Sequence, residues 1–154
     1  MRSPYRRATT LDLDRLLLLQ RDFYAEQQYP FDADVMRHAW PRLLSDCRVG
    51  QAWIAEDDAD AVAYVVATLG YSLEHQGRDA FVDELYVAPS HRGRGLGRAA
   101  LEQVERWCRH QCVRVLLLEV EDVNDDAHAL YTRAGFVAGS RHLLRKTIGG
   151  QVSE

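Results

Sequence analysis

The chain is short of everything that would staple a fold covalently or through a metal. Its cysteines, Cys47, Cys108 and Cys112, number three and fit neither a paired framework nor a zinc spacing, although Cys108 and Cys112 fall one helical turn apart. They read as free thiols. The six histidines are scattered without a His-x-x-x-His spacing, so no metal site is expected. Long apolar runs are also missing. Leu16 to Leu19 and Val115 to Leu118 are far too short to cross a bilayer, and Met1 to Arg7 is followed by no secretory h-region, so the expectation is a cytoplasmic protein without a membrane partner. Cations are outnumbered, 19 Lys and Arg against 23 Asp and Glu for a net charge of −4, which argues against a nucleic-acid partner. There is no internal repeat, low-complexity block or linker. The 154 residues, 47% of them apolar, are therefore expected to form a single domain over 1–154.

What is present is periodic. Leu13, Leu16, Leu17, Phe23 and Tyr24 recur at helical intervals and predict a first amphipathic helix over Leu11 to Gln27, behind Thr9 and Thr10. Asp32 or Asp34 can cap a second helix over Ala33 to Ser45, which Trp40-Pro41 should end or kink. The pattern then turns to β: Ala52 to Glu56, a turn at Asp57 to Asp60, Ala61 to Ser72, a second turn at Glu74 to Asp79, and Phe81 to Val87. Leu96, Ala100, Leu101, Val104 and Trp107 predict a helix to about His110, and Val113 to Val120 a buried strand. Asn124, Asp125 and Asp126 can cap a helix that Gly135 ends, after which Phe136 to Ala138 and His142 to Lys146 read as strands. Phe81 to Val87 and Val113 to Val120 flank a helix, so a βαβ unit with parallel strands is expected, opening a crevice at their C-terminal ends.

Between these two strands lies the segment richest in chemistry. In Arg92-Gly93-Arg94-Gly95-Leu96-Gly97-Arg98, three glycines let backbone N–H groups converge at a helix N-terminus, a nest that favours phosphate or pyrophosphate. Arg92, Arg94 and Arg98 offer charge-assisted bonds to the same anion. A dinucleotide fingerprint would need a third glycine where Arg98 stands, and no Gly-Lys-Ser/Thr ending supports a P-loop.

The stretch Val87-Ala88-Pro89-Ser90-His91-Arg92-Gly93-Arg94-Gly95-Leu96-Gly97 resembles the acetyl-coenzyme-A loop of the GCN5-related N-acetyltransferase (GNAT) family. Its Gln/Arg-x-x-Gly-x-Gly/Ala pattern is met by Arg92, Gly95 and Gly97. Asn124-Asp125-Asp126-Ala127-His128-Ala129-Leu130-Tyr131-Thr132-Arg133-Ala134-Gly135-Phe136 resembles the family's second signature, Asn-x-x-Ala-x-x-Leu-Tyr-x-x-x-Gly-Phe. The resemblance implies an α/β fold in which a central mixed, mostly antiparallel sheet is flanked by helices in the order ααβββαβαββ. It implies one N-acetyltransferase domain that uses acetyl-CoA as co-substrate and no metal. The acceptor would be a primary amine of a small molecule or a protein, attacking directly in a ternary complex. A non-enzymatic acyl-CoA-binding sensor or regulatory domain is the alternative, and a helix-edge interaction module without coenzyme binding is a third.

By the same resemblance, the backbones of Leu85, Tyr86 and Val87 would pair with the pantetheine arm while the amides from Arg92 to Arg98 hold the pyrophosphate, and Asn124 would touch the cofactor near its reactive end. Tyr131 falls at the family's general-acid position. Leu85 to Val87 N–H groups would also stabilise charge that develops only in the transition state. The base stays open among Asp83, Glu84, Glu119 and a water relay. Glu119 resembles the base of ribosomal-protein alanine acetyltransferases and Asp83 the acidic position of polyamine acetyltransferases. Strand alternation allows only one of Asp83 and Glu84 to face the cofactor unless a bulge intervenes. Tyr24, Glu26, Tyr29, Tyr71 and Glu74 border the acceptor side and can receive a cationic amine. The family's habits and the free edge of the C-terminal strands imply a homodimer.

Overall fold

The computed structural model describes residues 2–149, so the ends of the expected 1–154 domain lie outside the described residues. Five strands form one sheet in the order β1-β2-β3-β4-β5: Tyr5–Arg7, Gly50–Asp57, Asp60–Ser72, Gly77–Val87 and Val115–Leu118. The first three pairings are antiparallel and β4 with β5 is parallel, which makes the sheet mixed and mostly antiparallel as expected. Helices α1 (Leu13–Gln27) and α2 (Ala33–Ser45) cover one face; α3 (Leu96–His110) and α4 (Asp125–Arg133) lie on the other. No helix among the described residues is long and apolar enough to cross a membrane.

Period-two alternation along β3 sorts the core. Ala63, Val65 and Ala67 join Leu101, Val104 and Trp107 of α3, whereas Tyr64 and Val66 join Leu16, Leu17 and Trp40 of α1 and α2. Helix starts are capped as the sequence suggests. Thr9 and Asp12 satisfy each other's backbone ahead of α1, through a 3₁₀ turn at Thr10–Asp12, and the Asp32 carboxylate accepts from the N–H groups of Asp34 and Val35. Buried Asp12 also takes two bonds from the Arg6 guanidinium at 2.9 and 2.7 Å, which holds its pKa down at about 2.

The element order departs from ααβββαβαββ at both ends. A short strand, Tyr5–Arg7, precedes the helices; three residues are too few to show a period, and its register against Trp53 to Ala55 supplies the pairing. Phe136 to Ala138 and His142 to Lys146 form no strand, because no ladder partner meets them. Two boundaries also move. The helix through Trp40-Pro41 runs unbroken to Ser45, Pro41 notwithstanding. The fifth strand is four residues long rather than eight.

One irregularity positions the site. Opposite β3, Val66 pairs with Glu84 but Ala67 pairs with Val82, so Asp83 is an extra residue in β4. The bulge reverses the alternation: Ala80 and Val82 face α3, while Tyr86 lies in the core with α1 and α2, beside Glu84.

Candidate active site

A cleft of about 2200 Å³ opens where β4 and β5 part. Their pairing stops at Val82 with Leu118, yet β4 continues to Val87, so its flank from Asp83 onward has lost its neighbour. Leu85, Tyr86 and Val87 line this opening, as do Gly93, Gly95, Leu96, Gly97 and Arg98 at the start of α3 and Asn124 and Tyr131 of the α4 region. Arg94 is the one expected loop residue that does not line it; its guanidinium lies 4.0 Å from Asp57 instead.

The loop between β4 and α3 is built to leave donors free. A 3₁₀ turn at Pro89–His91 turns the chain, and the His91 imidazole holds it to Asp57 at 2.9 Å. Gly93 and Gly95 then adopt φ of +75° and +82°, which L side chains rarely do. No side chain caps α3, and the N–H groups of residues 93–98 find no acceptor among the described residues. A Cβ added at Gly93 or Gly95 would meet nothing within 4 Å, so the space before these amides is open. Gly97 is different. A Cβ there would approach Leu130 of α4 to 3.0 Å, so the missing side chain lets α3 and α4 close on each other.

The arginines of the loop are engaged with protein. Arg92 donates to the Val87 carbonyl at 2.9 Å and to Glu26 at 2.6 Å and lies over the Tyr86 ring, tying the loop to the end of α1. Arg98 pairs with Glu102 one turn along α3. These pairs are between exposed side chains and contribute only about 0–1 kcal/mol each.

Both Asp83 and Glu84 line the cleft, because the bulge intervenes. Their surroundings differ. Glu84 accepts from Tyr64 Oη at 2.8 Å, from Gln20 Nε2 at 3.1 Å to each oxygen, and from Tyr24 Oη through a short bond. Gln20 is in turn oriented by Trp40 Nε1, which donates to its Oε1 at 2.8 Å. Burial pushes the Glu84 carboxyl up, and the three donors offset part of that rise. Asp83 has no hydrogen-bond partner among the described residues, and desolvation raises its pKa as well. Gln20 and Tyr64 were invisible as site residues from sequence. The available signal was a glutamine on the apolar face of α1, one turn beyond Leu16 and Leu17.

Across the cleft, Tyr131 packs edge-to-face on Phe136, and its phenol, raised in pKa by desolvation, bonds to no described residue. Asn124 caps α4 by accepting from Ala127 N–H at 3.1 Å, which leaves its amide N–H groups free. Glu119, the third candidate base, lines the cleft just past β5 without an ion-pair partner among the described residues. The wall of the cleft expected to meet an acceptor carries Phe23, Tyr24 and Tyr29 in edge-to-face contact, and Tyr29 Oη reaches Glu121 at 2.7 Å, which raises the pKa of the phenol. Tyr71 and Glu74 do not line the cleft; Glu74 binds Arg141 at 2.7 Å.

Comparison with known proteins gives three kinds of match. A profile described as the acetyltransferase (GNAT) family matches residues 13–136. An uncharacterized N-acetyltransferase of Archaeoglobus fulgidus is 29% identical, over 97% of this chain and 98% of its own length. The streptothricin acetyltransferase of Streptomyces lavendulae is 32% identical over 90 residues, a match spanning 52% of this chain and 47% of that protein. Among solved structures, an integron cassette protein from the mobile metagenome of Cole Harbour salt marsh superposes with a TM-score of 0.87 at 34% identity, covering 97% of this chain and 93% of the other.

Proposed function

The chain belongs to the GNAT acetyltransferase family, and we propose that it is a single-domain N-acetyltransferase that uses acetyl-CoA to acetylate a primary amine. The observation that carries this is the run of unpartnered N–H groups at residues 93–98, set at a helix start beside the open flank of β4. Six convergent amides on the positive end of a 15-residue helix suit a pyrophosphate, since a charge-assisted bond contributes about 1.5–3 kcal/mol. That exceeds the worth of the Arg92–Glu26 surface pair, so Arg92 can exchange its carboxylate for a phosphate at small cost. Leu85 to Val87 offer backbone groups to an amide-bearing arm, and Asn124 offers its free amide. When bound, acetyl-CoA supplies the activated acetyl thioester.

The chain's own groups then divide the proton traffic. We assign the base to Asp83: its carboxylate is unpartnered, desolvated and carried on the bulge at the cleft wall. Glu84 has its oxygens filled by three donors and serves to orient Tyr24 rather than to take the proton. Tyr131 holds on Oη the proton that a departing thiolate needs. Phe23, Tyr24 and Tyr29, with the carboxylates Asp83 and Glu119, favour a cationic acceptor. The name of the Streptomyces relative makes streptothricin a first candidate for trial.

Two measurements test this reading. Calorimetry with acetyl-CoA should give binding that Gly95→Leu abolishes without unfolding the chain; no binding by the parent would leave only the interaction-module reading. Thiol release across a panel of small amines and peptide N-termini should then reveal turnover. Binding without release for any acceptor would favour the sensor.

A further inference from the structure

We propose that Trp40, Gln20 and Glu84 form a buried clamp on β4 that holds Asp83 toward the cleft, which makes Gln20 and Trp40 positioning residues for the proton transfer. The proposal rests on the assignment of the base to Asp83.

The direction of Asp83 is decided by its neighbours. It has no hydrogen-bond partner among the described residues, so the chain on either side must fix it. Before it, Ala80 and Val82 are buried against α3. Strict alternation from Val82 would send Glu84 and Tyr86 to that same face, among Ala100, Leu101 and Val104, and Asp83 to the face of α1. The bulge instead puts Glu84 and Tyr86 on the α1 face and leaves Asp83 as the extra residue between two anchored ones. Losing the bulge would therefore carry a carboxyl group from polar partners into apolar surroundings.

Those partners come from three other elements. Gln20 and Tyr24 stand one turn apart on α1, so their side chains leave the same face, and Tyr64 lies diagonally from Glu84 on β3. Tyr64 Oη donates to Glu84 at 2.8 Å, Gln20 Nε2 at 3.1 Å to each oxygen, and Tyr24 Oη through a short bond. An amide can point either way. Trp40 of α2 settles which, because its Nε1–H donates to Gln20 Oε1 at 2.8 Å and so turns the amide N–H groups to Glu84. Gln20 and Trp40 are 3% and 4% exposed, and water does not compete for this chain of bonds. Neither residue lines the cleft. They reach the reaction only through Glu84 and the bulge.

Nuclear magnetic resonance of the full chain, with aspartate labelled, tests the clamp without any acceptor. In the parent, Asp83 should hold a single χ1 rotamer by its three-bond couplings, and its carboxyl should titrate above the usual 3.8, as burial requires. The titratable groups that feel its charge are Glu84 beside it, Tyr64 of β3 and Tyr24 of α1. Gln20→Leu, which extends the apolar face of α1, should average the rotamer and lower the titration midpoint by about half a unit or more as the side chain turns to water. Trp40→Phe, which keeps a ring and removes the donor, should do the same to a lesser degree. Leu44→Ala, in the same cluster and on the same helix as Trp40, should leave both readouts in place. A single rotamer and an unmoved midpoint in Gln20→Leu, or equal changes in Leu44→Ala, would overturn the clamp.

Turnover, followed by thiol release with the amine that the acceptor panel yields, separates this proposal from the one beneath it. Gln20→Leu should lower kcat about tenfold with acetyl-CoA affinity within about twofold of the parent's, since the reacting group is misplaced and the amide nest is not. Added to Asp83→Asn it should cause no further loss. An additive loss would show that Gln20 acts elsewhere, whereas full activity of Asp83→Asn alone would sink the base assignment and leave the rotamer result standing.

Discussion

Up to Cys108 the chain holds all the buried residues of the described structure; from Arg109 to residue 149 there is none. The first region interleaves Leu16, Ile54, Tyr64, Val65, Leu101 and Val104 between sheet and helices. The second, from β5 through α4 to the C-terminal segment, leans on that core with half-buried Leu116, Leu118, Leu130 and Tyr131. The cleft lies on the boundary. Its proposed base is anchored in the dense region and its proposed acid in the sparse one, so one half of the chemistry is set by packing and the other by a few side contacts.

The largest expected effect separates the two regions by stability. Leu101→Ala should cost about 2–5 kcal/mol in denaturant unfolding, while Leu116→Ala, half-exposed, should cost about 1 kcal/mol; equal losses would erase the contrast. Next comes the base. Asp83→Asn should lower kcat about a hundredfold and remove the acidic limb of the pH–rate profile. The sign follows from the raised pKa: the parent's carboxylate must be ionised to accept a proton, so activity falls as pH drops through a value above the usual 3.8. A retained limb in the variant would move the role to Glu119.

Tyr131→Phe should slow turnover by more than about tenfold while coenzyme affinity stays near the parent's, as when a group acting only in the transition state is lost. An unchanged rate would return Tyr131 to packing on Phe136. Asn124→Ala removes the cap of α4 and should cost about 1 kcal/mol, seen as faster amide exchange confined to α4. Smallest of all, Arg141→Ala breaks an exposed pair with Glu74 and should leave Tm unmoved.

The same boundary divides what was legible in the sequence. Helical and strand periods are strong where one face is buried, so α1, α3 and the hairpin of β2 and β3 were readable to within a few residues. The glycines of the loop announced themselves by spacing, because positive φ and close approach restrict residue choice locally. The last two expected strands fail for the opposite reason: Phe136 to Ala138 and His142 to Lys146 have strand composition, but a strand exists only with a partner. Contacts between distant residues left no trace. Nothing in Arg92 tells of Glu26, 66 positions away, and nothing in Asp83-Glu84 tells of the bulge that brings both to the cleft. Gln20 was readable only as an anomaly, a polar side chain where the helix period called for an apolar one.

The absent side chain of Gly97 has a mechanical consequence. Its helix leads out of the amide nest, and the side chain it lets in, Leu130, is the neighbour of Tyr131. The two helices therefore meet like the jaws of a caliper whose opening is one missing methyl group. A larger residue at 97 would act as a wedge against Leu130, tilting α4 and carrying the phenol away from the nest, although residue 97 keeps its own backbone N–H in the nest. Volume at this position becomes a dial on the span between them, so Gly97→Ala should affect the reach of the site sooner than the strength with which either end binds.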